Sequence, residues 1–387
     1  MSKAKICIDI TNVIPGKGGS GGGIATYAIN LIKGLDKTNV INGFDVYVLK
    51  HPDFKGFEFL ENTKVINVNI NNKKLFTRIY WTQMYLPFFC IKHKITVLHR
   101  VNPELPIIKV CKYVCTLHDL MFEFYLSHRE IKKFLNKKNI LKYHLFNSIS
   151  KHAVRVSDFT IVPTYSIKNE LVKNYRLRNE KVIVTHLATQ KIKQEQRTIA
   201  KKISKGCHIG VIAGFYPHKG HKRVMELAKK FIESGFTDFK ISFRGNPAFP
   251  NYIKEMIDLK EKLGLNNHIY IVPYEQKASL ADIYSEFDII LLLSEYEGFG
   301  LPVLEAQAYN LPVFCSDIPV FKEVLEDTAY FIGAENNNGA VNRLIGDLKD
   351  LNLLNSLSQR GQVNLNKYSW NKMTAETNDL YNRLIKN

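Results

Sequence analysis

Two glutamates eight positions apart, Glu297 and Glu305, bracket a Gly298-Phe299-Gly300-Leu301-Pro302 core. Ionised carboxylates only accept hydrogen bonds, which suits them to sugar hydroxyls. The stretch between them reads as a loop that turns into a helix. Gly298 and Gly300 permit backbone shapes that residues with a Cβ resist. Pro302 suits the first helical position, where no N–H is needed. The amides around Phe299, Gly300, Leu301 and Val303 then point out of a helix N-terminus, a ready site for anionic oxygens. Carboxylates repel phosphate, so the two acids are expected to flank such an anion. The bland alternative is a helix cap with two solvated acids. The glycines, the proline and the apolar run before them weigh against it.

Other residues complement that segment. Lys219 stands in the Gly-bounded turn Gly214-Phe-Tyr-Pro-His-Lys-Gly220, just after an apolar run, where its ammonium can reach a diphosphate. Nearby, His218 would add charge when protonated, and Arg244 is a weaker second cation. A glycine run, Gly18 to Gly23 with one serine, opens a helical pattern near the N-terminus. Glycines before a helix let the backbone approach phosphate. His118 and Asp119 end a further apolar run, a position that faces a ligand cleft when the run is a strand of a parallel sheet. The chain contains no Asp-x-Asp pattern, and no metal site is indicated. The charge of a bound diphosphate would then fall to cations and helix-end amides.

The elements that must position these residues alternate. Lys5 to Ile10, Phe44 to Leu49, Val97 to His99, Tyr113 to Leu117 and Phe159 to Pro163 read as strands, with helical periodicity between them, as in Ile24 to Leu35. Alternation of this kind argues for parallel sheets with crossover helices. Lys191 to Lys205 is polar and has little to bury. After it the pattern restarts at Cys207 to Ala213, with further strands at Lys240 to Arg244, His268 to Val272 and Asp288 to Leu293. The expected division is a first domain over 1–190, a linker over 191–206 and a second domain over 207–367. A last helix over 368–387 returns to the first domain. Ligands of such sheets bind outside the carboxyl ends of the strands.

The segment from Glu297 to Glu305 resembles the donor-site motif of retaining glycosyltransferases of family 4, the glycosyl transferases group 1. The resemblance implies an α/β fold of the GT-B type, two Rossmann-like lobes facing a cleft. It implies a nucleoside diphosphate sugar as donor, a glycan or lipid-diphosphate-linked acceptor, and no cofactor or essential metal. By the same resemblance Glu297 lies by the transferred sugar and Glu305 binds the ribose. Lys219 becomes the diphosphate cation, and Phe299, Gly300 and Leu301 meet the donor. Gly22 and Gly23 face the donor phosphate or the acceptor. His118 is an active-site residue near the transferred sugar, and Asp119 orients its neighbours. The family commonly has a second cation, an Arg, in the turn of Lys219. Phe215 and His218 occupy those places here, which is a departure. Family habit points to bacterial surface polysaccharide, lipopolysaccharide or capsule.

Composition bounds the rest. The chain has 387 residues, enough for two or three domains, and is 45% hydrophobic and 23% charged, which excludes a disordered or fibrous chain. Lys plus Arg is 54 against 36 acids, a net charge of +18 that accommodates phosphates, anionic lipid or nucleic acid. The six cysteines form no Cys-x-x-Cys pair and read as reduced core residues of a cytoplasmic protein. MSKAKICIDI reads as a first strand, and no window reaches the roughly 18 apolar residues of a membrane span. Between Arg129 and Arg155 stand eight Lys or Arg and one acid, Glu130, with apolar residues at helical spacing. That is a basic amphipathic helix or helix pair, expected to dock on anionic lipid at the inner face of a cell membrane or to pack with a solvated basic face. Phe76, Tyr80, Trp81, Tyr85, Phe88 and Phe89 lie among basic residues and read as an interfacial or acceptor patch or, equally, as core packing. Three readings compete: a hexosyltransferase, a sugar-nucleotide epimerase or phosphorylase on the same architecture, and a non-enzymatic basic protein for membrane or nucleic acid. No known nucleic-acid module appears, which weighs against the last.

Overall fold

The computed structural model describes residues 3–13, 22–54, 57, 60–70, 74–190, 206–247, 249–273, 279–333 and 337–386. The expected linker lies outside them except for Gly206, as do Gly18 to Gly21. The chain divides into two compact units. One comprises Met1–Ser127, Lys137–Leu187 and Ser369–Asn387; the other comprises His128–Asn136 and Ala188–Tyr368.

The first unit is built on a parallel sheet of β1 (Ala4–Asp9), β2 (Phe44–Lys50), β3 (Thr63–Asn67), β4 (Val97–Arg100), β5 (Lys112–Thr116), β6 (Phe159–Val162) and β7 (Val182–Val184). Their order is β3-β2-β1-β4-β5-β6-β7. Strands buried on both faces need continuous apolar runs, and β1 and β4 are buried along most of their length. The order reverses at β1, so the crevice at its carboxyl end is a natural ligand position. Helices α1 (Gly23–Asn42), α2 (Leu75–Tyr80), α3 (Leu86–His93), α4 (Met121–Ser127), α5 (Arg129–Lys132), α6 (Lys137–Val156) and α7 (Tyr165–Tyr175) follow in turn. Short α5 belongs to the second unit. A π-helical turn, Trp81–Tyr85, joins α2 to α3.

The second unit repeats the plan with β8 (Cys207–Ile212), β9 (Phe239–Gly245), β10 (Ile269–Pro273), β11 (Ile289–Leu292), β12 (Val313–Ser316) and β13 (Tyr330–Ile332). All pair in parallel, in the order β10-β9-β8-β11-β12-β13. The reversal falls at β8, beside β11. Its helices are α8 (His221–Glu233), α9 (Pro250–Lys262), α10 (Leu280–Ser285), α11 (Leu301–Ala308), α12 (Pro319–Leu325), α13 (Asn338–Lys349) and α14 (Leu351–Asn364). The last helix, α15 (Trp370–Lys386), packs on α1 of the first unit, where Asn378 donates to the Thr38 hydroxyl at 2.9 Å. Tyr381, fully buried, brings its hydroxyl to His99 Nδ1 at 2.5 Å.

The basic stretch Arg129 to Arg155 is a helix pair shared between the units. In the second unit Ile131 and Leu135 are buried, and Phe134 meets Tyr252 edge-on at 5.2 Å with the Lys222 ammonium 5.1 Å from its ring. The stretch is thus the helix pair of the two expected forms, and its first half is packed. α6 buries Phe146 and Ala153 and exposes Leu141 with its lysines.

Candidate active site

In the second unit two loops meet at the sheet's reversal point. The turn after β8 ends in a 3₁₀ turn, Pro217–Lys219, and Gly220 closes it at φ 72° before α8 begins. A Cβ at Gly220 would lie 1.9 Å from the Leu293 carbonyl oxygen, so only glycine lets this turn press on the end of β11. The Glu295 amide donates to the His218 carbonyl at 2.8 Å and ties the two loops together. That approach brings Lys219 Nζ to 2.7 Å from Glu297 Oε2. The other carboxylate oxygen of Glu297 accepts from the Ser294 hydroxyl at 2.8 Å, and Ser316 donates to the Ser294 carbonyl at 2.5 Å. The Lys219 and Glu297 side chains are 20% and 10% exposed, so water screens the pair only partly.

Gly300 caps α11 at φ 83°, and a Cβ there would be 2.5 Å from the Phe321 ring. Pro302 falls within the first turn, as the sequence predicts, and Asn310 follows the helix in the left-handed region at φ 58°. Phe299 is 4% exposed and packs edge-on against Tyr368 at 5.8 Å, so its side chain anchors the loop and only its backbone is placed to meet a ligand. Glu305, one turn into α11, accepts from the Tyr284 hydroxyl at 2.8 Å. The Tyr284 ring stacks on Tyr309 at 4.9 Å. Burial pushes the Glu305 carboxyl up from its ordinary pKa, partly offset by that hydrogen bond.

The two auxiliary cations expected from sequence are not available. His218 is 4% exposed, and burial with neighbouring Lys219 and His221 holds it well below the ordinary imidazole range, so it stays neutral. Arg244 commits its guanidinium to Glu286, at 2.7 and 2.5 Å. Sequence reading missed Arg223, four residues after Lys219 in the first turn of α8. Its Nη1 lies 3.4 Å from the Leu293 carbonyl, and it lines a cavity of about 400 Å³ with Tyr330 and Arg343. The signal was a second cation in the first turn of the helix that follows the Lys219 turn.

In the first unit Gly22 and Gly23 begin α1, where the Gly22 carbonyl accepts from the Thr26 amide at 3.1 Å. One turn on, the Tyr27 ring meets His118 edge-on at 5.0 Å, joining the glycine corner to the end of β5. His118 Nε2 lies 3.1 Å from the Val101 carbonyl. A carbonyl only accepts, so Nε2 carries the proton and Nδ1 is left as an acceptor. Burial lowers His118 to about 4, partly offset by that carbonyl, and it is neutral at physiological pH. Asp119 accepts from the Met121 amide at 2.9 Å and shapes the start of α4.

A buried polar network under this corner had no sequence signal. Asp9, at the end of β1, and Arg100, at the end of β4, pair at 3.1 Å with both side chains fully buried. Asp9 also accepts from Trp81 Nε1 at 3.1 Å and from the Thr11 hydroxyl at 2.6 Å. Arg100 donates to Thr82 at 2.8 Å and to the Glu104 carbonyl at 2.7 Å, and Glu104 holds Arg78. The network rivets α2 and the π turn to the sheet. Among the described residues no group of three or more His, Cys, Asp or Glu is arranged to hold a metal ion.

Comparison with known proteins gives a consistent picture. A family profile described as glycosyl transferases group 1 matches residues 192–363, and one described as glycosyltransferase family 4 matches 21–188. The O-antigen chain mannosyltransferase RfbU of Salmonella typhimurium is 27% identical over 237 residues, 58% of this chain and 61% of that protein. The chain thus aligns with about three fifths of that relative. Sucrose-phosphate synthase from Thermosynechococcus elongatus superposes with a TM-score of 0.75 at 15% identity, covering 99% of this chain and 100% of that one. Anabaena HepE in complex with UDP-glucose superposes with a TM-score of 0.70 at 14% identity, covering 98% and 99%. The fold is the two-lobe α/β GT-B fold.

Proposed function

The chain belongs to the glycosyl transferases of group 1 and family 4, and from that premise we propose that it moves a hexosyl unit from a nucleoside diphosphate sugar to a glycan acceptor. The one observation that carries the reading is the Lys219–Glu297–Ser294 cluster beside the N-terminus of α11, with Glu305 one turn further along. Lys219, Arg223 and the amides of Gly300 and Leu301 take up the diphosphate charge. Glu297 accepts from hydroxyls of the transferred sugar, and Glu305 accepts from the ribose. Gly22 and Gly23 give the backbone access to phosphate or acceptor, and neutral His118 accepts a sugar hydroxyl through Nδ1.

The reaction retains the anomeric configuration and needs no metal. The acceptor oxygen bonds to the anomeric carbon as the bond to the diphosphate breaks. The acceptor's proton passes to the departing phosphate oxygen on the same face. The acceptor is a lipid-diphosphate-linked glycan of bacterial surface polysaccharide, reached by a cytoplasmic protein peripheral to the inner face of the membrane. Mannose is the first hexose to test, in keeping with the mannosyltransferase name of the relative RfbU.

The test is a thermal-shift screen of nucleotide sugars with EDTA present. A donor that binds the native state at about 100 times its Kd stabilises by about 2.7 kcal/mol. The stabilising donor is then assayed for transfer to lipid-linked glycan. Conversion of the donor with no acceptor present would indicate an epimerase instead. Loss of all activity on chelation would remove the metal-independent mechanism.

A further inference from the structure

The first unit carries an apolar surface that no part of the proposed active site uses. Along α2, the π turn and α3, five residues turn outward in one row: Phe76 is 80% exposed, Tyr80 56%, Met84 63%, Phe88 60% and Ile91 63%. The first four are spaced by four residues. In a pure α-helix of 3.6 residues per turn such a row drifts around the axis. The π turn Trp81–Tyr85 is wider and absorbs extra residues, which brings the row back into line. The inner face of the same segment is fixed: Trp81 to Asp9, Thr82 to Arg100 and Arg78 to Glu104. The row is therefore held rigidly outward.

Its neighbours extend it. Gln83 holds the loop before β5, donating to the Leu105 carbonyl at 3.3 Å and accepting from the Ile107 amide at 2.8 Å. Ile107 and Ile108, 68% and 69% exposed, are thereby strapped alongside. An apolar face of this extent is rare on a solvated monomer. Along the segment itself the charges have one sign, and the nearest acid beside Ile108, Asp158, is paired with Lys109 at 2.8 Å. From residue 74 to 112 the only acid is Glu104, and it is taken up by Arg78 and Arg100. Lys74, Lys92 and Lys94 are exposed at the two ends of the segment, and exposed Lys142 approaches through Phe146, whose ring also carries the Arg78 guanidinium at 5.1 Å.

We propose that the Leu75–His93 segment is an in-plane anchor whose Phe76–Tyr80–Met84–Phe88–Ile91 row, with Ile107 and Ile108, inserts into an anionic bilayer surface. The flanking lysines meet lipid phosphates while their stems lie along the apolar boundary. No helix among the described residues is long and apolar enough to cross a membrane, so the segment lies in the surface. The assignment deepens the peripheral location proposed above and moves it away from Arg129–Arg155.

The experiment is sedimentation of the full chain with vesicles of phosphatidylcholine containing 30% or no phosphatidylglycerol, the fraction set at about one third to give a clear surface charge. Three proteins are compared: wild type, Met84→Ser/Phe88→Ser/Ile107→Ser, and Lys92→Gln/Lys94→Gln. Thermal melts confirm that the variants fold. The wild type should bind anionic vesicles and keep part of that binding in high salt. The apolar variant should lose at least about tenfold in partitioning, and the lysine variant should lose mainly the preference for anionic lipid. A polarity-sensitive dye at Phe88→Cys should shift to the blue on vesicles. If the wild type ignores vesicles, the peripheral location itself fails. If it binds and the apolar variant binds equally well, only the surface assigned here fails. A concentration-dependent dimer abolished by the apolar variant would assign the row to a second copy and overturn the proposal.

Discussion

Lys219 and Glu297 are the two charges nearest the proposed reaction, and they hold each other at 2.7 Å. Changing either therefore changes the other's surroundings, and the two variants should differ in kind. Glu297→Gln keeps an acceptor for Ser294 and removes the charge that answers the transferred sugar; turnover should fall about 100-fold or more with donor affinity changed little. Lys219→Met removes a charge-assisted contact to the diphosphate and should weaken donor binding about tenfold to 100-fold. Steady-state kinetics and donor titrations separate the two, and full turnover in Glu297→Gln would end the assignment. Glu305 has a pH signature. Its folded carboxyl is raised by burial, so the fold favours the neutral form. Its contribution is fully present below the unfolded carboxyl's pKa and is lost as pH rises through the raised folded value. Glu305→Gln is neutral at every pH and keeps an acceptor for Tyr284. Without nucleotide it should melt higher than wild type near neutral pH, with the gap closing as pH falls below about 4.3. Equal melting at all pH values would show that the carboxylate is solvated.

At the scale of elements, the site depends on two loops brought together by a backbone contact. Gly220 has φ 72° and its Cα faces the Leu293 carbonyl, whereas Gly235 has φ 79° with nothing within 4 Å of an added Cβ. The two glycines share the conformational strain and differ only in the clash. Gly235→Ala should cost about 1 kcal/mol, and Gly220→Ala at least about 3 kcal/mol together with donor binding, because the turn bearing Lys219 must lift off β11. Denaturant melts of the pair make the comparison, and equal costs would mean the contact is not tight. The Asp9–Arg100 pair has the same standing in the first unit. Both side chains are fully buried, so removing one partner leaves an uncompensated charge, a loss of about 3–5 kcal/mol. Arg100→Met should therefore destabilise more than Asp9→Leu/Arg100→Met, measured by the same melts. The reverse order would mean that water reaches the pair.

At the scale of the molecule, the two units carry different proposed tasks. The donor groups, Lys219, Arg223, Glu297, Gly300, Leu301 and Glu305, all lie in Ala188–Tyr368, and the apolar row lies in Met1–Ser127. A nucleoside diphosphate should slow amide exchange most over 213–223 and 294–306 and leave 75–93 at its free rate. Protection strongest at 75–93 would reverse the assignment. The alternation of strands and helices, the restart at Cys207 and the loop-to-helix motif around Glu297 were legible in the residues, because each depends on local periodicity and backbone freedom. β3, β7 and β13 were not: β3 mixes polar and apolar residues, and β7 and β13 are apolar runs of only three residues, too short to tell from a loop or helix segment. The fate of Arg129 to Arg155 was not legible either, since one basic periodicity serves a packed helix and a solvated one equally. Partners far apart in sequence were settled only by the fold: Tyr284 on Glu305, Ser294 on Glu297, and Trp81 and Arg100 on Asp9. Whether His218 or Arg244 could serve as a cation also rested on burial and on Glu286, which no local pattern reports. Sequence alone determined which backbone turns and chemical groups this protein has, because those follow from neighbours along the chain. Tertiary structure decided which groups keep their charge and which faces stay outward, because both depend on what the sheet order brings alongside.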